Sequence, residues 1–390
     1  MKAPSPILFA AMLTIGVALA QTPVTREGAD WVQTVTGSMT IGVDNRIHIR
    51  TDGTIVVHGQ NKDARVSYTL KKRVRARSAI EAASAFRNFG MRWHSGSLLE
   101  LTALARRQHV AELTVLVPVT MRLVVVETRA GNVTASDLSG DLEAGTAGGV
   151  IELNRLGGWA RVRTGGGEIR IGQVAGGVRC YSGGGNIQVG TVGLESWFET
   201  AGGDIGIREA GGTVYASTGG GNIRVGQSGG EVFAHTAGGI IEVQRAAGLV
   251  TAGNSGGAIE VNAAKGVRCE STAGAIRLRN VDGGSVRATT AVGSILAELL
   301  SGARLQDSLL STSAGDITVF LSSNIAVTVQ AKNQTIGGGS RIVSDFPEIR
   351  IRSSGYGAAP QAFAEGTLNG GGPILQIQAA GGTIYLRRQK

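Results

Sequence analysis

Apolar positions along this chain recur at a fixed distance. The first apolar residue after a glycine-rich turn falls at Val133, Ile151, Ile169, Ile187, Ile205, Ile223, Ile241, Ile259, Ile276 and Ile295. The steps between these markers are 18 residues up to Ile259, then 17, then 19. Around each marker apolar and polar residues alternate. Ile223 and Val225 stand against Asn222, Arg224 and Gly226, the period-2 signature of a half-buried strand. Nine residues after Ile223 a second alternation begins, with Val232, Ala234 and Thr236 against Phe233 and His235. Glycines at 219–221 and 229–230 flank and separate the two runs, and supply the tight corners a closed coil requires. A period near 20 residues means stacked supersecondary units. The pattern therefore predicts an all-β fold, a two-sheet parallel β-solenoid with 18-residue coils. Equivalent residues of successive coils would lie about 4.8 Å apart, making ten coils a rod of about 48 Å.

The parity of the alternation assigns the two sides of each strand. Ile151, Ile169, Ile187, Ile205, Ile223, Ile241 and Ile259 point inward from one sheet, and Val178, Val214, Val232, Val250 and Val267 from the other. The next inward position of the second sheet is small: Cys180, Ala216, Ala234, Ala252, Cys269 and Ala288. Narrow residues there suit a flattened core, which larger ones would overpack. Helix is disfavoured, since each glycine costs it about 1 kcal/mol.

Outside the regular region the pattern loosens. Residues 21–125 read as an N-terminal cap of irregular strands (Met39 to Ile41, Ile47 to Ile49, Thr54 to Val57, Val66 to Leu70) with one helix over Arg77 to Arg92. In that helix Ile80, Ala83 and Phe86 recur at helical spacing. The segment from Leu113 to Val126 then leads through Pro118 into residues 126–300, the regular solenoid. Residues 301–390 read as irregular terminal coils and a C-terminal cap, with a Gly- and Ala-rich loop from Ser353 to Thr367. Caps cover open sheet edges that would otherwise template aggregation, and so argue against a rod that polymerises end to end.

Composition adds a compartment and a charge. Lys2, an apolar run from Ile7 to Leu19 and Ala18-Leu19-Ala20 before Gln21 form a secretory leader, residues 1–20. The run is too short for a comfortable membrane span, no later stretch is long enough, and export to the periplasm, cell surface or medium is expected. The formal charge of +9 becomes +8 without Lys2 and suits acidic polysaccharide, lipopolysaccharide or nucleic acid without choosing among them. Cys180 and Cys269 occupy the same inward position five coils apart. That is about 24 Å at the rung spacing, beyond the roughly 7 Å a disulfide spans.

Val117-Pro118, Leu123 to Val126 and Ala130-Gly131-Asn132-Val133 resemble the entry of the uncharacterised bacterial putative-adhesin family. So do the tandem GGxIxV and GxVxAxT units, Ser344-Asp345-Phe346, and Gly370-Gly371-Gly372-Pro373 with Gly381 to Leu386. The resemblance spans about residues 30–390. It implies a two-sheet β-solenoid at the cell envelope with no known enzymatic activity, and it offers no catalytic residues.

Several motifs invite chemistry and lose it to their place in the repeat. Gly253-Asn254-Ser255-Gly256-Gly257 matches GxSxG but is in phase with the coil corners, and a nucleophile needs a base at hand. Gly183 to Asn186 suggests a phosphate loop, with no helix N-terminus to complete it. A calcium β-roll wants an aspartate in every turn, whereas the position before the isoleucine reads Val150, Glu168, Asn186, Asp204, Asn222, Ile240 and Ala258. His48, His58, His94, His109 and His235 lack ligand spacing, so neither metal nor cofactor is expected. The ladder Thr164, Ser182, Thr200, Thr218, Thr236, Thr272 and Thr290 resembles an ice-binding face, but its parity places it inward or at the corner, bonding turn backbone.

The most informative surface is outward on the second sheet. Arg161, Arg179, Trp197, Tyr215 and Phe233 form one column, and Arg163, Tyr181, Glu199, Ser217 and His235 its neighbour. A flat, basic, aromatic strip can stack sugar rings and pair acidic groups. Trp197, Tyr215, Phe233, Arg161, Arg179 and Tyr181 are thus the candidate ligand-binding residues, for an envelope or extracellular polysaccharide or a surface protein; nucleic acid is not expected. A competing reading is a polysaccharide-processing β-helix enzyme, whose carboxylate pair would be Glu242 and Glu260, neighbours in one outward column.

Overall fold

The structure is a computed structural model that describes residues 18–41, 44–60, 65–87, 89–95, 99–104, 109–299, 305–334, 341–354 and 361–389. Most of the expected leader, residues 1–17, lies outside the described residues, and Ala18–Gln21 pairs antiparallel with Val35 to Ser38. The chain is a parallel β-solenoid of two sheets. One sheet carries the isoleucine strands Ile151–Leu156, Ile169–Val174, Ile187–Val192 and their successors. The other carries Ala160–Thr164, Val178–Ser182, Ser196–Thr200 and theirs. Ladder pairs are 18 residues apart through the centre, as in Ile187↔Ile205 and Val214↔Val232.

The two unequal coils have local causes. Val250 pairs with Val267 because the turn before Val267 holds only Lys265 and Gly266, one residue fewer than the turn before Val250. The shorter turn puts Gly266 at φ +95°, where a side chain is strained. The 19-residue coil regains the deficit through Asp282 to Ser285, with Gly283 and Gly284 both at positive φ.

The core is a strip one coil wide. Ile151, Ile169, Ile187, Ile223, Ile241 and Ile259 are fully buried, facing Val214, Val232 and Val250. Each isoleucine strand runs buried–out–buried–out–out–buried, so its end bends inward at the corner. The opposite corner is stapled by hydroxyls. Thr164 Oγ1 donates to the Gly149 carbonyl of the preceding coil (2.9 Å) and accepts from Gly167 N–H of its own (3.0 Å). Ser182, Thr200, Thr218 and Thr236 repeat both bonds. The position is Ser271 rather than the expected Thr272, which is exposed, because the shortened turn moves the register by one residue. A Cβ on Gly167 would collide with the Gly149 carbonyl, so the coils close only on glycine here.

Both ends of the stack are out of chain order. Arg46–Thr51 and Thr54–Gln60 form a rung between Leu123–Thr128 with Val133–Leu138 on one side and Leu99–Leu104 with His109–Pro118 on the other. At the far end Ile374–Ala379 and Thr383–Arg388 insert between Ser308–Ala314 with Ile317–Leu321 and Val327–Gln334 with Arg341–Ser344. Each end is thus closed by a rung that is not the first or last in the chain. Antiparallel strands follow outside it: Arg65–Val74 and Asp30–Thr40 at one end, Gln361–Leu368 and Arg350–Ser354 at the other.

Three expectations change in these regions. The helix spans Ala79–Arg87 only, and Arg92 belongs to the strand Gly90–Ser95. Ser78 Oγ caps its start by accepting from Glu81 N–H, while Glu81 reaches back to Arg77 N–H, one residue ahead of the cap, and the two bonds fix the entry. Its buried side is Ala82 and Phe86, leaving Ile80 82% exposed. The stretch read as a loop from Ser353 to Thr367 begins in the strand Arg350–Ser354 and ends in the strand Gln361–Leu368, and residues 355–360 lie outside the described residues.

Candidate functional site

The outward face of the isoleucine sheet is a ladder of ion pairs. Arg170 bonds Glu152 (2.8 Å) and Glu168 (2.5 Å). Glu242 and Glu260 sit opposite each other as expected, but Arg224 lies on the far side of the first (3.7 Å) and Arg277 on the far side of the second (2.5 Å). The four side chains make a plus–minus–minus–plus column. Each carboxylate thereby has its own cation, the arrangement of a solvated sheet face.

The other face brings the candidate residues together in register. Arg161↔Arg179, Arg179↔Trp197, Trp197↔Tyr215 and Tyr215↔Phe233 are successive ladder pairs. Ring centroids are 5.2 Å apart for Trp197 and Tyr215 and 4.9 Å for Tyr215 and Phe233, with planes 3° and 5° from parallel. Parallel rings this close cannot lie side by side in one plane, so they are stacked face to face and stand on edge. The Arg179 guanidinium covers the far face of Trp197 at 4.7 Å. The strip therefore does not offer three free faces for sugar rings, as the sequence pattern suggested. Only Phe233, at the end of the stack, keeps one.

The remaining members surround the stack. Arg161 pairs with Glu143 (3.3 Å), and Tyr181 lies in the neighbouring column under the Arg163 guanidinium (5.2 Å). Partial burial, then Glu195 and Glu231 at the adjoining turns, raise the Tyr215 phenol above its ordinary value of 10.0. Trp159, at another turn, stands over Gly177, where a Cβ would strike its ring.

An open groove of about 550 Å³ runs beside the stack. Past Phe233 the aromatic column continues with Thr251 and then Arg268, and its neighbour reads His235, Gly253, Glu270. Arg268 is exposed at the groove's edge and was not among the expected site residues. Counting by 18 from Phe233 through Thr251 lands on Cys269, a buried position. The 17-residue step in the isoleucine markers was the signal that could have found Arg268.

The other motifs resolve as backbone chemistry. In the GxSxG stretch Asn254 points inward and donates to the Gly257 carbonyl (2.5 Å), while Ser255 is an exposed corner residue. Asn132, Asn186, Asp204 and Asn222 use side-chain oxygens to cap the N–H of the equivalent residue one coil on. Both cysteines are free and buried, and burial pushes the Cys269 thiol up to about 12. The side chains of His94 and His109 lie outside the described residues. One grouping escaped the sequence: His58 Nδ1 is 2.7 Å from Ser136 Oγ and 3.2 Å from Asp137 Oδ2. Both partners meet the same ring nitrogen, whereas a relay needs one on each. Asp137 is moreover held by Arg155, at 2.5 and 2.8 Å.

Among the described residues no helix is long and apolar enough to cross a membrane. No family model and no curated protein matches the chain. Solved structures similar to it include two bacterial proteins. A "putative cell adhesion protein" from Clostridium sporogenes has 6% identity and a TM-score of 0.17, over 96% of this chain and 100% of its own. A "putative adhesin" from Bacteroides fragilis has 11% identity and a TM-score of 0.21, over 91% of this chain and 97% of its own.

Proposed function

We propose that this chain is an exported, adhesin-like β-solenoid that binds envelope or extracellular glycan through the aromatic and arginine face of its second sheet, without catalysing a reaction. One observation carries the reading: Trp197, Tyr215 and Phe233 form an in-register stack on an outward face, headed by arginines and bordered by an open groove. The three rings are contiguous and half-buried, and contiguous apolar surface left partly open to solvent marks interaction sites. Phe233 supplies the contact face, while Trp197 and Tyr215 hold it upright. Each aromatic pair contributes about 0.5–1.5 kcal/mol to that support.

A glycan panel probed with the mature chain, then with Trp197→Ala and Tyr215→Ala, tests this. The wild type should bind and both variants should lose signal; binding unchanged in both overturns it. Release of sugars from a bound polysaccharide, abolished by Glu242→Gln, would overturn the non-catalytic part. Export predicts that protein recovered from outside the cytoplasm begins at Gln21, and an intact Met1 on all of it would contradict the leader.

A further inference from the structure

The aromatic stack has one empty level. After Trp197, Tyr215 and Phe233 the column holds Thr251, then Arg268, and beside them stand His235, Gly253 and Glu270. The smallest pair of side chains therefore falls between two tall ones. The result is a slot in the groove, floored by Thr251 and Gly253, with Phe233 and His235 along one wall and Arg268 and Glu270 along the other.

The slot has a definite width. Its walls are two rung spacings apart, about 9.6 Å centre to centre. Heavy atoms pack at about 3.5–4.0 Å, which leaves a layer about 2 Å thick for the guest's own heavy atoms. A flat aromatic ring would touch one wall and stand off the other. A puckered pyranose with its substituents fills the layer. Its C–H side suits the free face of Phe233, and its hydroxyl edge suits the polar pair His235 and Glu270.

Charge selects further. Arg268 pairs in the ladder with Arg287 on the next rung, and neither has an ion-pair partner among the described residues. Most other arginines of the solenoid faces are committed: Arg161, Arg170, Arg224 and Arg277 to carboxylates, Arg163 and Arg179 to rings. Arg268 in the slot's wall and Arg287 one rung behind it put two uncommitted guanidinium groups on one side of the slot, a match for a carboxylate on the guest.

We infer that this slot takes one uronate residue of an acidic polysaccharide, its ring against Phe233 and its carboxylate on Arg268 and Arg287. The inference rests on the glycan-binding reading above and adds the sugar class and the point of contact. Gly253 is what keeps the slot open. A side chain there meets only the His235 ring, at 3.2 Å from Nδ1, and Gly253 is on an outward, half-buried strand position without positive φ.

The test is calorimetric titration of the full mature chain with tetragalacturonate and with its carboxyl-reduced counterpart. Gly253→Val, which fills the slot with a strand-favouring residue, and Arg268→Gln are compared with Arg170→Gln on the opposite sheet, all checked for native circular dichroism. A charge-assisted bond sets the expected scale: about tenfold tighter binding of the acid form, and at least about tenfold loss in Gly253→Val and Arg268→Gln. Arg170→Gln should match the wild type. Equal affinity for the two ligands, or tetragalacturonate binding unmoved by Gly253→Val in folded protein, overturns the inference. A neutral glycan whose binding falls with Trp197→Ala but not with Gly253→Val overturns the slot and leaves the face reading standing. A folded protein that binds no glycan of either kind overturns both.

Discussion

The corner hydroxyls make the sharpest structural prediction, and Thr164 is the cleanest place to test it. Its side chain is fully buried, with Oγ1 donating to the Gly149 carbonyl at 2.9 Å and accepting from Gly167 N–H at 3.0 Å. Thr164→Val keeps the shape and removes both bonds. Two net hydrogen bonds are worth about 1 kcal/mol each, and a buried N–H left without an acceptor adds a desolvation penalty, so the loss should be about 2–4 kcal/mol. Thr164→Ser is the control, because serine already performs the same role at Ser182. It keeps the hydroxyl and gives up one methyl, a cost of about 1 kcal/mol. Urea unfolding followed by circular dichroism should rank wild type above Ser above Val. Hydrogen exchange at the Gly167 amide should quicken in the valine variant alone. A valine variant as stable as the serine one, with Gly167 still protected, would refute the staple.

Two further outcomes follow from buried and paired groups. Cys180 and Cys269 are 2% and 0% exposed and their thiols are pushed up by burial, so neither should react with iodoacetamide at pH 8 until the chain is unfolded, when both should. Labelling of the native protein would contradict the inward register. The Arg155 guanidinium bonded to Asp137 lowers that carboxyl from its ordinary 3.8 to about 2. A depressed folded value means the pair stabilises the fold above about pH 4 and the contribution fades as pH falls towards 2. In an NMR titration Arg155→Gln should return Asp137 towards its ordinary value, and an unmoved midpoint would refute the pairing.

The regular coils were readable because an inward isoleucine at the same place in almost every turn leaves an unmistakable period, and because parity then assigns the other strand side chains. That logic correctly placed Cys180 and Cys269 in the core, the hydroxyl ladder apart from Thr272 at the corner, and Trp197, Tyr215 and Phe233 in one column. It had no access to ring orientation. Whether stacked aromatics lie flat or stand on edge depends on side-chain torsions, and the 4.9 Å between the nearly parallel Tyr215 and Phe233 rings shows that they stand on edge. The slot was hidden for a different reason. It is defined by what Thr251 and Gly253 lack and by Arg268, which a one-residue deletion at the Lys265-Gly266 turn brings into the column. The end rungs were illegible because Arg46–Thr51 and Ile374–Ala379 pair with partners far away in the chain, and local periodicity carries no record of which rung a strand inserts beside.

The claim that matters most is that the second sheet's outward face, at the end of its aromatic stack, is where this chain meets its ligand. A crystal structure of the chain soaked with tetragalacturonate addresses it directly. The account predicts a sugar ring seated over Thr251 and Gly253, against Phe233, with its carboxylate on Arg268. Density for the sugar only along the ion-pair face of the isoleucine sheet, with the level beyond Phe233 left empty, would contradict it.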